Sequence, residues 1–187
     1  AGNPFSAAHE ALVQAALDMP AIPWSALETD ALLGEGASGV IHRAHLTLVG
    51  TASESVAVKL FKGTVTSDGL PQSEMTAALH AGSHAGLIPV RGQVTGHSQA
   101  ARGLVMDLIA PAFRNLAGPP SYESCTRDVY ADGLRLEPKT VLRLARGVAA
   151  AAAHLHRRGI LHGDLYAHNT LFDDAGQSLI GDFGAAS

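Results

Sequence analysis

Asp164 and Asn169 stand five residues apart in "HGDLYAHN", and Asp182 follows thirteen residues later in "GDFG". Carboxylate and amide oxygens are hard ligands of the kind Mg²⁺ takes. A magnesium ion held there would bridge and neutralise phosphate oxygens. Upstream, Lys59 sits in "VAVK" between apolar Val58 and Leu60. Before it, "GEGASGV" sets Gly34, Gly36 and Gly39 in a G-x-G-x-x-G spacing. Without Cβ atoms, these residues let backbone approach a phosphate closely. Such residues suit a phosphate-bearing ligand.

The elements around these residues decide which phosphate site this is. A dinucleotide-binding turn needs a helix directly after the glycines. Here "VIHRAHLTLV" follows, partly alternating, rich in β-branched residues and ended by Gly50. That reads as a strand, so the glycines sit in a β-hairpin. "ESVAVKLFK" reads as a third strand carrying Lys59. A helix is expected from Pro71, with Met75, Ala78, Leu79 and Gly82 on one side. "GLIPVRGQVTGH" and "ARGLVMDLIAP" read as two more strands, and "GPPSYESCTRD" as a loop between halves. The strongest helix spans about 139–158, with Val141, Leu144, Ala145, Val148, Ala152 and Leu155 at helical spacing. "TLFDD" and "SLIGDF" read as a closing hairpin around "AGQ". At the start, residues 6–18 read as a short helix stopped by Pro20 and Pro23, and "IPWSALETD" as a connector.

Composition narrows the classes. The chain has 187 residues, 47% of them hydrophobic, enough for a core in one domain or two small lobes. A net charge of −4 gives no electrostatic case for nucleic acid. The single cysteine, Cys125, excludes an internal disulfide and fits a reducing cytoplasm. The longest apolar run, "GVAAAAAHL", falls far short of the ~20 residues of a membrane span. The first residues lack an initiator Met, a basic start and a clean apolar run, which reads as a fragment or processed product without a signal peptide. Few Lys among many Ala and Arg hint at a GC-rich bacterial source.

Glycine hairpin, "VAVK", "HGDLYAHN" and "GDFG" occur in that order, and residues 24–187 thereby resemble the protein kinase family, in a minimal or truncated bacterial form. The resemblance implies an α+β, bilobal fold: an N-terminal extension over 1–23, a β-rich N-lobe over 24–110 and an abbreviated helical C-lobe over 111–187. It implies ATP and Mg²⁺ as cofactors and a protein hydroxyl as acceptor. Lys59 would contact the α- and β-phosphates, positioned by Glu74, the acidic residue of the following helix. Asp164 would be the catalytic base, and Asn169 and Asp182 the metal ligands. Gly34, Glu35, Gly36 and Gly39 would lie over the phosphates. Val40, Ala57 and Leu171 would flank the adenine, with Met106 behind it and the backbones of Asp107 and Ile109 bonded to it. His162 is expected to pack near Phe183 as a structural residue.

The sequence departs from the family at three points. Gly163 stands where many protein kinases have Arg, so it cannot pair with a phosphorylated activation loop. Tyr166 stands where serine/threonine kinases carry a Lys near the transferred phosphate, and His168 is the nearest polar substitute. The chain ends three residues after "DFG". The exposed stripe of the 139–158 helix, with Leu161 and Ile180, is therefore expected to need a cover: polypeptide past Ser187, a second copy, or the 6–18 helix. Two other readings compete, a nucleotide-binding pseudokinase scaffold and a small-molecule kinase resembling the aminoglycoside and choline phosphotransferases.

Overall fold

The computed structural model describes residues 20–36, 38–62, 71–125 and 127–187. The helix read over 6–18 lies outside these residues. Strands β1 (Ala21–Pro23), β2 (Leu27–Glu35), β3 (Gly39–Leu46), β4 (Glu54–Phe61), β5 (Val90–Thr95) and β6 (Gly103–Asp107) form one sheet in the order β1-β5-β6-β4-β3-β2. Its pairs are antiparallel except β1 with β5. Helix α1 (Pro71–Ala81) follows β4 in the chain. A second sheet, β7-β8-β9, joins Arg114–Asn115, Thr170–Phe172 and Ser178–Ile180 beside helix α2 (Pro138–Arg157). Among the described residues, a six-stranded sheet, a small three-stranded sheet and two α-helices make the α+β arrangement expected.

Strand periodicity explains where Lys59 points. Successive side chains of a strand face opposite sides. On β4, Val56 and Val58 enter an apolar cluster with Ile22, Leu27, Ala44, Leu46, Val94 and Val105. Ala57, Lys59 and Phe61 take the other face, and Phe61 packs there with Met75, Ala78 and Ala81 of α1. That second cluster continues through Leu87, Ala151, Leu155, Ile160, Ile180 and Phe183. One continuous core thus ties the Lys59 face of the sheet, α1, α2 and the GDFG segment together.

Two readings needed revision. The connector "IPWSALETD" is ordered structure: Ala21–Pro23 is an edge strand and Trp24–Ala26 a single 3-10 turn. Tight local alternation is absent there because the pairing is supplied by β5, some seventy residues on. Ile180 is fully buried by this chain alone, whereas Leu161 is exposed. The α2 stripe is covered unevenly: Ala151 and Leu155 are buried, while Val141 and Ala145 stay open.

Polar contacts lock α1 to the end of α2. His154 Nε2 lies 2.8 Å from the Ala81 carbonyl, and Arg158 Nε donates to the His80 carbonyl at 2.7 Å. His84 stacks on His154 at 4.8 Å and accepts the Gly86 N–H through Nδ1. Burial pushes His84 below the ordinary histidine range, aided by the charges of His154 and Arg157. A base whose pKa falls on folding stabilises the fold fully above its unfolded value of 6.5, and less as pH drops below it. The melting temperature should therefore fall on acidification from about pH 7 toward pH 5. The slope should be shallower in His84→Gln; equal slopes would show that His84 does not carry it.

Candidate active site

Lys59 is 7% exposed and Glu74 5%, and their ammonium and carboxylate are directly hydrogen-bonded. A buried charge needs a partner of opposite sign, and α1 supplies it across the sheet face. Lys59 Nζ also lies 3.7 Å from Asp182 Oδ1. Asp182 has φ +58°, a left-handed conformation that Asp tolerates better than most residues. Its carboxylate accepts the Gly184 N–H at 3.3 Å and remains half exposed beside the buried Lys. The Lys59 ammonium is thus paired with buried Glu74 and lies close to the half-exposed Asp182 carboxylate.

The segment that carries Asp164 and Asn169 is held by its own hydrogen bonds. Asn169 Nδ2 donates to the Asp164 carbonyl at 3.0 Å and to Asp164 Oδ2 at 2.8 Å. Both amide protons are thereby committed, and the Asn169 amide oxygen stays available as a ligand. The segment is anchored from behind: His162 Nε2 lies 3.0 Å from the Gly181 carbonyl, and its ring lies 5.4 Å from Phe183. His162 is 5% exposed and structural in its contacts. Gly163 has φ +78°, and a Cβ on it would stand 2.2 Å from the Ala185 carbonyl oxygen. An arginine could not occupy that backbone without moving the chain after GDFG.

The glycine hairpin joins β2 to β3. Glu35 pairs with Val40 and Gly34 with Ile41 in the β2–β3 ladder, and Gly36 N donates to Gly39 O at 2.9 Å. Gly39 is required by packing, because a Cβ there would lie 2.5 Å from the Leu60 carbonyl oxygen. Gly34 and Gly36 face open space, where a Cβ would meet nothing within 4 Å. Protein packing does not explain those two glycines; a ligand approaching the backbone would. Glu35 is ion-paired with Lys62, whose hydrogen bond and charge hold the carboxyl below its ordinary range.

The residues assigned to the adenine fall on both sheets and just past the end of β6. Ala57 is buried and paired with Met106 across β4–β6; Val40 opposes Leu60. Asp107 donates its N–H to the Pro89 carbonyl at 3.0 Å and pairs its carboxylate with Arg91. Ile109 lies just past β6, and Leu171 sits on β8 opposite Asn115 and Leu179; both are half-buried.

One contact set escaped the sequence. Asp128, from the stretch read as loop, accepts the Ala167 N–H at 2.8 Å and the His168 Nδ1–H at 2.6 Å. Burial pushes the Asp128 carboxyl up, but the bonds from His168 and Ala167 outweigh it and leave it below the usual carboxylate range. Forty residues separate the partners, so no local spacing could have shown the pairing.

The donor set fits the cofactors implied. Asp182 and Asn169 offer carboxylate and amide oxygens, and Mg²⁺ is commonly held by one or two such groups plus waters and phosphates. Among the described residues no group of three or more His, Cys, Asp or Glu could hold a metal ion. Among the same residues no helix is long and apolar enough to cross a membrane.

Comparison with known proteins agrees with this geometry. The chain is similar to the serine/threonine-protein kinase PITSLRE of Drosophila melanogaster, 29% identical over 154 residues, 81% of this chain and 15% of that protein. It is similar to the serine/threonine-protein kinase PrkC of Bacillus subtilis, 38% identical over 52 residues, 28% of this chain and 8% of that protein. A probable serine/threonine-protein kinase of Arabidopsis thaliana, At1g54610, is 28% identical over 104 residues, 56% of this chain and 16% of that protein. The matched stretches span less than a fifth of each relative. The model of the protein tyrosine and serine/threonine kinase family matches residues 27–187. The chain therefore belongs to the protein tyrosine and serine/threonine kinase family.

Proposed function

We propose that this chain transfers the γ-phosphoryl group of ATP, with Mg²⁺, to a serine or threonine hydroxyl of a protein. The observation that carries this reading is the buried Lys59–Glu74 pair with Asp182 3.7 Å from the same ammonium. Lys59 orients the α- and β-phosphates, and Glu74 holds Lys59 at the cleft edge. Asn169 and Asp182 hold the metal, which when bound neutralises the phosphate oxygens. Asp164, fixed by the Asn169 amide, receives the proton of the attacking hydroxyl. The relatives named above are serine/threonine kinases, which supports that acceptor class. The single cysteine supports a cytoplasmic setting.

The division of labour is testable at Asp164. Asp164→Asn should lower kcat by about a hundredfold or more while ATP affinity changes less than about threefold, because Asp164 meets the acceptor and not the nucleotide. The comparison needs kcat from steady-state phosphorylation of a generic protein and Kd from nucleotide titration. A parallel fall of affinity and rate would show that Asp164 belongs to the nucleotide site.

A further inference from the structure

A cavity of about 640 Å³ lies between helix α2, the β8–β9 turn and the segment from α1 to β5. Arg143, Gly147 and Ala150 line it from α2, Ala175 and Ser178 from the turn and the start of β9, and His84 from the third wall. None of these residues belongs to the set assigned to phosphate, metal or adenine. Glycines let the walls meet. A Cβ on Gly147 would stand 2.3 Å from Ser178 Oγ, and one on Gly86 would stand 3.1 Å from the Ala151 methyl. Arg143, Ala150 and Ala175 are exposed and border the mouth, whereas Ser178 is 5% exposed.

One polar atom on this lining is not accounted for by the fold. Among the described residues, Ser178 Oγ is the buried side-chain oxygen or nitrogen that makes no hydrogen bond. Buried hydroxyls are nearly always bonded, and an unmet one costs stability. Strand β9 uses Ser178 through its backbone, in the pairing with Phe172, and alanine would serve that pairing equally. An acceptor entering the cavity would satisfy the hydroxyl.

The charged and ring groups beside it are donors. Arg143 Nη1 donates to the Ala175 carbonyl at 3.3 Å, and no carboxylate pairs with this guanidinium among the described residues. Arg143 lies one helical turn before Gly147, on the same face as the contact with Ser178. His84 accepts the Gly86 N–H through Nδ1, which puts its own proton on Nε2. The lining holds no Asp or Glu, and alanine methyls supply much of the rest. An apolar lining with a few placed polar groups, in a volume of ~300–1,000 Å³, is the usual make-up of a small-molecule site. The guanidinium fork matches a carboxylate in shape and charge.

We infer that this cavity binds a small organic carboxylate, its charged end held by Arg143 and the Ser178 hydroxyl and its apolar body laid against the alanine methyls. The site goes beyond the kinase reading and stands whether or not the chain transfers phosphate.

The test is NMR of the alanine methyl groups of the 187-residue chain, titrated with benzoate and hexanoate and with their neutral amides. Either carboxylate should shift the Ala150 and Ala175 methyls saturably, with a Kd of about 1 mM or below. The amides should bind about tenfold more weakly, and Arg143→Gln should weaken the carboxylates by about the same factor. Ser178→Ala should weaken them about fivefold without lowering the melting temperature, because the hydroxyl it removes was unmet. Ala150→Trp, a change at an exposed position, should block the mouth and abolish the shifts. A parallel titration with ADP and Mg²⁺ present separates this site from carboxylate binding at Lys59. Shifts that persist there support the cavity, and shifts that nucleotide displaces overturn it. No saturable shift from either carboxylate up to about 10 mM would overturn the site. Equal affinity for acids and amides, or affinity unchanged in both Arg143→Gln and Ser178→Ala, would overturn it as well.

Discussion

Asp182→Asn should reduce phosphoryl transfer by about a hundredfold to a thousandfold, the usual cost of removing one preorganised electrostatic contact from a transition state. The folded state should hardly notice. Asp182 is about half exposed, and its contact with Lys59 at 3.7 Å is secondary to the Lys59–Glu74 bond. Partly solvated pairs of that kind contribute about 1 kcal/mol or less. Mg²⁺-dependent nucleotide binding should weaken in parallel, because asparagine keeps an oxygen but loses the charge that faces the metal. The measurement is transfer rate and Mg²⁺-dependent nucleotide Kd on the same preparation, with melting temperature as control. Wild-type turnover in Asp182→Asn would remove the GDFG carboxylate from the reaction.

Lys59→Met should abolish activity and also destabilise the chain, by about 3 kcal/mol, since breaking a buried pair leaves its partner's charge in the core. A lone lysine on a strand is commonly a solvated side chain, but apolar Val58 and Leu60 and the preceding glycine hairpin mark Lys59 as functional. At 7% exposure, Lys59 is part of the core as well as of the site. Adding Glu74→Leu should recover part of the lost stability and none of the activity, because an apolar pair no longer buries an unmatched charge. Chemical denaturation of the two variants and of the wild type gives the numbers. Additive stability losses would mean that the two residues do not depend on each other.

The site was legible where its residues lie in short motifs with a strand or turn signal around them. "VAVK" shows Lys59 because alternation between Val56, Val58 and their neighbours sets the faces of β4. "GEGASGV" was assigned to a hairpin from the strand after it, and β2 pairs with β3 accordingly. α2 was readable from its apolar period, and its observed span begins at Pro138. What stayed hidden depends on distant pairing. Arg114–Asn115 becomes a strand only because β8 lies beside it, and two residues carry no period. Ala21–Pro23 likewise takes its strand character from β5. Asp128 reads as an ordinary loop carboxylate until the fold brings His168 against it. Gly163 was read as a lost arginine contact; its positive φ and the nearby Ala185 carbonyl give it a steric reason of its own.

The proposed reaction is phosphoryl transfer from ATP to a protein hydroxyl, served by Lys59, Asp164, Asn169 and Asp182. It is tested most directly by incubating the chain with ATP labelled in the γ-phosphate and with Mg²⁺, once with a generic protein acceptor and once with aminoglycosides. Label should appear on serine or threonine of the protein acceptor, and should be lost when Mg²⁺ is removed and in Asp182→Asn. Tight nucleotide binding without transfer to any acceptor, or label confined to the aminoglycoside, would contradict it.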